Sequence, residues 1–298
     1  MAKQVLGCIG YSKVGRDIAL ISDEWAKHLN ADLHLLHIRN PSPYAPESSG
    51  KLATFIEELD LHATPHLHTP LGKPEHLIPK MAERLQADLI ITAAHSHTAI
   101  GRMLAGSVSN AIVHHAHCPV LVVRRPEPPP GGGILVPIDF TDINARVIQL
   151  ADTRAHDYGC PLHFIHVAPD PASFVGWAGT PMIDPITPAP EAREMQTAMA
   201  SEQIEQLIRR VGVTANYDIT VAFGKPYEEI LRVQQEKEAS LIMLAAHSHN
   251  VLERLLLGGN TRHLLNSVPC SLYVHKEAER VKDTAVIPDV SRLMFTPL

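Results

Sequence analysis

Residues 87–97 read ADLIITAAHSH, and residues 239–249 read ASLIMLAAHSH. Each is an unbroken apolar run of strand length that ends in small residues and histidines. A run without alternation is what a strand covered on both faces requires. The same offset of 152 relates Gly72-Lys73-Pro74 to Gly224-Lys225-Pro226, and His117-Cys118-Pro119-Val120 to Pro269-Cys270-Ser271-Leu272. Nearer the start of each unit the offset is 129, where LHLLHI (33–38) aligns with LHFIHV (162–167). The chain therefore carries two copies of one unit. The 23 residues by which the offsets differ are an insertion in the second copy, between about 168 and 200. Its stretch FVGWAGTPMIDPITPAP (174–190) is rich in Pro and Gly and reads as a loop or lid. RRPEPPPGGG (124–133) reads as a linker, stiff and then flexible. The expected division is 1–125, a linker at 126–133, 134–276, and a tail at 277–298 outside the repeat.

Strand and helix patterns alternate in each copy. In the first, strands are expected at 4–10, 32–38, 64–70, 88–94 and 119–124, with helices at 15–30, 48–60, 74–86 and 102–115. Pro74 and Pro226 stand where a helix begins, a position that tolerates proline. Alternating βαβ units with short links predict an α/β fold of two tandem, doubly wound, parallel five-stranded sheets. Ligands of such sheets bind beyond the carboxyl ends of the strands. The loops after the first and fourth strands of each copy should form that rim.

A length of 298 residues suits two domains with their own cores. The net charge of −6 gives no support to nucleic-acid or anionic-membrane binding, which calls for a basic face. No apolar run reaches the roughly 18 residues of a membrane span. The N-terminal MAKQVLGCIG lacks the regions of a signal peptide, so a cytoplasmic address is expected. Cys8, Cys118, Cys160 and Cys270 have no CxxC spacing and read as reduced, mostly buried thiols.

Residues 90–124, IITAAHSHTAIGRMLAGSVSNAIVHHAHCPVLVVR, resemble the signature of the universal stress protein family, and ILVPIDFT (134–141) supports the likeness independently. The resemblance covers both copies. It implies an adenine-nucleotide pocket in which glycines let the backbone approach phosphate and helix N-terminal amides meet it. A first-strand Asp then contacts the nucleoside. The family pattern is Gly, two residues, Gly, nine residues, Gly, then Ser or Thr. The first copy has Ala93, Ser96, Gly106 and Ser107 at these positions, with Gly10 in place of the Asp. The second has Ala245, Ser248, Gly258 and Gly259, and keeps the Asp as Asp139. The resemblance thus points to a site of Pro137, Ile138, Asp139, Val167, Ala245, Ser248, Gly258 and Gly259 for ATP or another adenine nucleotide, with a weaker site in the first copy. It also implies that the two copies pair through their last strands, with 119–123 against 271–274, or that the chain forms a homodimer.

His95 and His97 flank Ser96, and His247 and His249 flank Ser248. Two imidazoles on a loop do not complete a zinc site, so no metal is expected there. His34, His37, His163 and His166 repeat between copies, which argues for a shared structural position. His114, His115 and His117 close the fourth helix, where an imidazolium would suit the dipole. No GxSxG, Walker lysine or triad appears, and no residue can be nominated as the base of an ATP hydrolase. Three function classes stand side by side: a non-catalytic regulatory module gated by a nucleotide, an interaction scaffold whose pockets have lapsed, and a metal-dependent or nucleotide-hydrolysing enzyme for which only the paired HxH loops speak. In the second, Phe174 and Trp177 of the insertion would cover a pocket or meet a partner.

Overall fold

A computed structural model describes residues 2–39, 50–94, 107–124, 132–170, 189–246 and 259–276. In the first copy the order is β1 (Lys3–Cys8), α1 (Lys13–Leu29), β2 (Ala31–Leu36), α2 (Gly50–Glu57), β3 (His66–His68), α3 (Pro74–Leu85), β4 (Leu89–Ala93), α4 (Ser107–His115) and β5 (Val120–Val123). In the second it is β6 (Ile134–Pro137), α5 (Ile143–Tyr158), β7 (Leu162–Ala168), α6 (Ala189–Val211), β8 (Tyr217–Phe223), α7 (Pro226–Glu236), β9 (Leu241–Ala245), α8 (Gly259–Ser267) and β10 (Ser271–His275). Local chemistry sets several boundaries. The Ser12 hydroxyl accepts the Gly15 N–H at 3.2 Å to open α1, and Asn30 closes it in the left-handed region. Proline opens α3 and α7, as its missing N–H allows.

The stretch read as a loop or lid, 174–190, lies outside the described residues up to 188, and the insertion ends in a helix. Residues 189–200 form the first half of α6, which buries Ala192, Ala200, Ile204, Leu207 and Ile208. Helical spacing of these apolar positions outlasts the Pro-rich start. The rest of the insertion, with Phe174 and Trp177, lies outside the described residues, as do residues 102–106, most of the linker, and the tail.

Among the described residues the strands form one ten-stranded sheet in the order β3-β2-β1-β4-β5-β10-β9-β6-β7-β8. Each copy contributes five parallel strands, and β5 and β10 join antiparallel. The register sets Val122 against Leu272, Leu121 against Tyr273, and Val120 against Val274. Leu121 and Tyr273 are counterparts at the 152 offset, so a pseudo-two-fold axis passes between them. On one face Trp25 of α1 stacks on Tyr273, with ring centroids 5.8 Å apart. Arg154 of α5 lies 4.3 Å from the Trp25 ring and 4.6 Å from the Tyr158 ring, and donates to Glu24 at 2.6 Å and Asp157 at 3.1 Å.

On the other face the copies cap each other's helices. The Lys276 ammonium donates to the His114 and Ala116 carbonyls at the end of α4, at 3.2 and 2.9 Å. Arg124, its counterpart, donates to the Leu265 carbonyl near the end of α8. Asn110 of α4 donates to Asn266 of α8 at 2.9 Å. The expectation that imidazolium serves the α4 dipole therefore fails for His114. Burial, then His115, Lys276 and Arg262, push its pKa down, and Lys276 supplies the cation instead.

The repeated histidines are satisfied within the sheet. His37 Nδ1 lies 3.1 Å from the Ile9 carbonyl and His166 Nδ1 lies 2.8 Å from the Ile138 carbonyl. His163 Nδ1 is 2.9 Å from Asp218. His34 lies 3.0 Å from His68 Nε2 and 2.5 Å from Gln4 Oε1. The four cysteines are free thiols, Cys118 and Cys270 buried and Cys8 and Cys160 partly so.

His34 makes the fold sensitive to acid. Burial, then His68 and His66, push its pKa down to about 4, against a smaller upward pull from Asp32. In the unfolded chain it titrates near 6.5. Below pH 6.5 the unfolded state therefore binds the extra proton first, and the stability of the native state falls toward pH 4. Thermal unfolding across pH 7 to 4.5 should show a steeper loss for the native chain than for His34→Gln. Equal slopes would remove His34 as the cause.

Candidate functional site

The sequence-predicted residues of the second copy converge where β6, β7 and β9 end. β6 lies between β7 and β9, with Leu135 opposite His163 on one side and Ile242 on the other. Pro137 and Ile138 therefore stand at the end of β6 with Ala245 beyond them on β9 and Val167 on β7. Gly259 opens α8, exposed, with nothing within 4 Å of where a Cβ would lie. Its open approach and the unpaired amides of a helix start suit an anion. Ser248, Gly258, His247 and His249 lie outside the described residues, as do Ser96, Gly106, His95 and His97. Among the described residues no cluster of three or more His, Cys, Asp or Glu side chains could hold a metal ion.

Asp139 is exposed at the tip of β6, and its carboxylate is oriented by its own loop. Oδ1 accepts from the Thr141 hydroxyl at 2.7 Å, from the Thr141 N–H at 3.3 Å, and from the Asn144 amide. Asn144 is buried, and its Oδ1 accepts the Asp139 N–H at 3.2 Å. This ring of bonds holds the carboxylate on the rim, and a fixed acceptor there can meet the donors of a nucleoside.

The first copy builds the same rim without that group. Gly10, Tyr11, Ser12 and Ala93 line a cavity of about 180 Å³ with Cys8 at its floor. Ala93 ends β4 and is buried, and Ser107 opens α4. A Cβ at Gly10 would meet nothing within 4 Å, so room for a side chain is not what the position lacks.

Sequence reasoning missed the aromatic ring that follows each rim position. Tyr11 lies against His37 with centroids 4.3 Å apart, and Phe140 lies against His166 at 4.6 Å. Both imidazoles are pinned by the carbonyl of the strand's last apolar residue. The signal was present: at the 129 offset Tyr11 aligns with Phe140, both directly after the position of the family's Asp. Asn144, too, became legible as a partner of Asp139 only once the start of α5 was placed.

Comparison with known proteins agrees with this architecture. The model of the universal stress protein family matches residues 1–124 and 133–276. Universal stress protein A homolog 1 of Coxiella burnetii is 30% identical over 142 residues, which are 42% of this chain and 98% of that protein. Among solved structures, a protein of unknown function from Pseudomonas aeruginosa PAO1 is similar at a TM-score of 0.69 and 18% identity, covering 93% of each chain. A universal stress protein from Archaeoglobus fulgidus is similar at a TM-score of 0.56 and 17% identity, over 92% of this chain and 96% of that one. At these identities the solved structures speak for the fold. The two-segment family match covers most of the sequence, and the chain belongs to the universal stress protein family.

Proposed function

We propose that the chain is a non-catalytic regulatory module that binds an adenine nucleotide at the rim of its second copy. The observation that carries this reading is Asp139, whose carboxylate is held on the rim by Thr141 and Asn144. Gly259 at the start of α8 would serve the phosphates, and Ser248 and Gly258 are assigned to the same task by the family pattern alone. Pro137, Ile138 and Val167 would line the base side. A regulatory signal requires that the nucleotide bind two arrangements of the rim loops unequally.

A second reading has support of its own. Gly10 leaves the first rim without a carboxylate, and Ala93 and Ala245 stand where the family has glycine. In that reading the chain is an interaction scaffold whose pockets no longer take nucleotide.

Calorimetric titration with ATP separates the two, together with mass spectrometry of small molecules released from the purified protein. The regulatory reading expects copurified nucleotide or micromolar ATP binding, weakened at least about tenfold in Asp139→Ala, the loss of one or two charge-assisted hydrogen bonds. No nucleotide and no heat at millimolar ATP would leave the scaffold.

A further inference from the structure

The two copies differ most informatively around Tyr11 and Phe140. The 152 offset that pairs β3 with β8 also pairs α2 with α6: Leu52 with Ile204 and Ile56 with Ile208, all buried. It makes Phe55 the counterpart of Leu207, and Lys51 that of Gln203. In the first copy the Phe55 edge meets the Tyr11 ring at 5.8 Å, and the Lys51 ammonium sits 4.6 Å over it. An Arg16–Glu58 ion pair at 3.6 Å lies on the same two helices. The ring is thus covered by its own chain.

In the second copy each of these partners is smaller or reversed in charge. Leu207 replaces the aromatic ring and Gln203 replaces the ammonium. Arg210 stands in place of Glu58, and Ala145 in place of Arg16, so Arg210 makes no ion pair among the described residues. What remains is a cavity of about 330 Å³ between the start of α5 and α6, lined by Phe140, Asp142, Gln203, Gln206, Leu207 and Arg210. Phe140 is 38% exposed, lines this cavity and holds a φ of +60°, a conformation that strains a bulky residue. Among the described residues the Phe140 ring meets His166 and no ring or cation of α6.

We propose that this cavity, on the α6 side of the β6–α5 loop and sharing Thr141 with the nucleotide rim, is a ligand site for a small planar aromatic acid. The ligand ring takes the place that Phe55 fills in the first copy, edge or offset against Phe140. Its acidic group meets the Arg210 guanidinium, and its remaining polar edge meets the amides of Gln203 and Gln206. Asp142 repels an acid at the α5 end and so sets the ligand's direction. A cavity of this volume is at the lower end of small-molecule sites and suits one or two fused rings.

The test is calorimetric titration of the full chain with 2-naphthoate, and with 2-naphthamide as the neutral match, each with and without saturating ATP. Naphthoate should bind with a dissociation constant on the order of 100 μM, a usual efficiency for so few atoms. It should bind more tightly than the amide and be indifferent to ATP, whether or not ATP itself binds. Leu207→Phe restores the first copy's closure and should weaken naphthoate at least about tenfold. Arg210→Gln should erase the preference for acid over amide. Phe140→Gly relieves the positive φ, so it should fold at least as stably as the native chain and yet lose binding. Absence of binding at 2 mM naphthoate, a flat concentration of about twenty times the expected constant, would overturn the proposal. So would full affinity in Phe140→Gly, or displacement by ATP.

Discussion

Gly15→Ala should destabilise the protein by about 3 kcal/mol, although in an exposed helix the same change gains about 1 kcal/mol. Gly15 sits in the first turn of α1, buried under the loop that leaves β1. A Cβ there would lie 1.8 Å from the Gly10 carbonyl oxygen and 2.7 Å from its carbon. The obstacle is backbone, so no side-chain rotation can clear it. Either α1 moves off the sheet, breaking its packing through Ile18, Ala19 and Trp25, or the β1–α1 loop moves with Gly10. Urea unfolding of the variant measures the loss directly. A neutral or stabilising result would mean that the loop yields cheaply. The displaced loop carries Tyr11 and Ser12, which line the first copy's cavity.

Arg154→Ala should cost about 3 kcal/mol, and Arg154→Met should recover more than half of that. The side chain is 1% exposed, yet its acidic partners Glu24 and Asp157 are 46% and 38% exposed. Once the cation is gone, those carboxylates return to water at little penalty, so the larger loss is the slot left between Trp25 and Tyr158. A methionine fills that slot and an alanine does not, which is why the two variants should separate. Parallel denaturation of both proteins checks the argument, and equal losses would show that charge rather than packing dominates. The loss should appear in the stability of both copies together, since Arg154 belongs to α5 while Glu24 and Trp25 belong to α1.

That contact also shows what joining two copies in one chain permits. Trp25 and Arg154 are counterparts at the 129 offset, and they meet at the pseudo-two-fold axis. In a symmetric homodimer a residue on the axis meets its own kind. Here the two positions have diverged into a ring and a guanidinium, which attract. Leu121 facing Tyr273 is a second such divergence. Lys276 and Arg124 keep the symmetric arrangement, each capping a helix of the other copy. Burial pushes the Lys276 pKa down to about 8.

The amino-acid sequence by itself determined the repeat and the alternation of strand and helix, and it pointed to one edge of the sheet for a ligand. Each of these is written locally. An apolar run such as LIIT or LIML reports burial on both faces, a proline at 74 or 226 reports a helix start, and Asp139 keeps its place directly after a strand. It also indicated that His37 and His166 share one role, because repetition at a fixed offset survives without knowledge of the partner. The tertiary structure alone decided what those residues touch. The pairing of Leu121 with Tyr273, the Arg154 slot and the cap from Lys276 join residues more than a hundred positions apart, and no periodicity records such a pair. The same holds for the contrast between Tyr11, met by Phe55 and Lys51, and Phe140, whose α6 counterparts leave a cavity. It depends on two helices arriving over two rings, and only the packed chain shows that Phe55 fills a space that Leu207 leaves open.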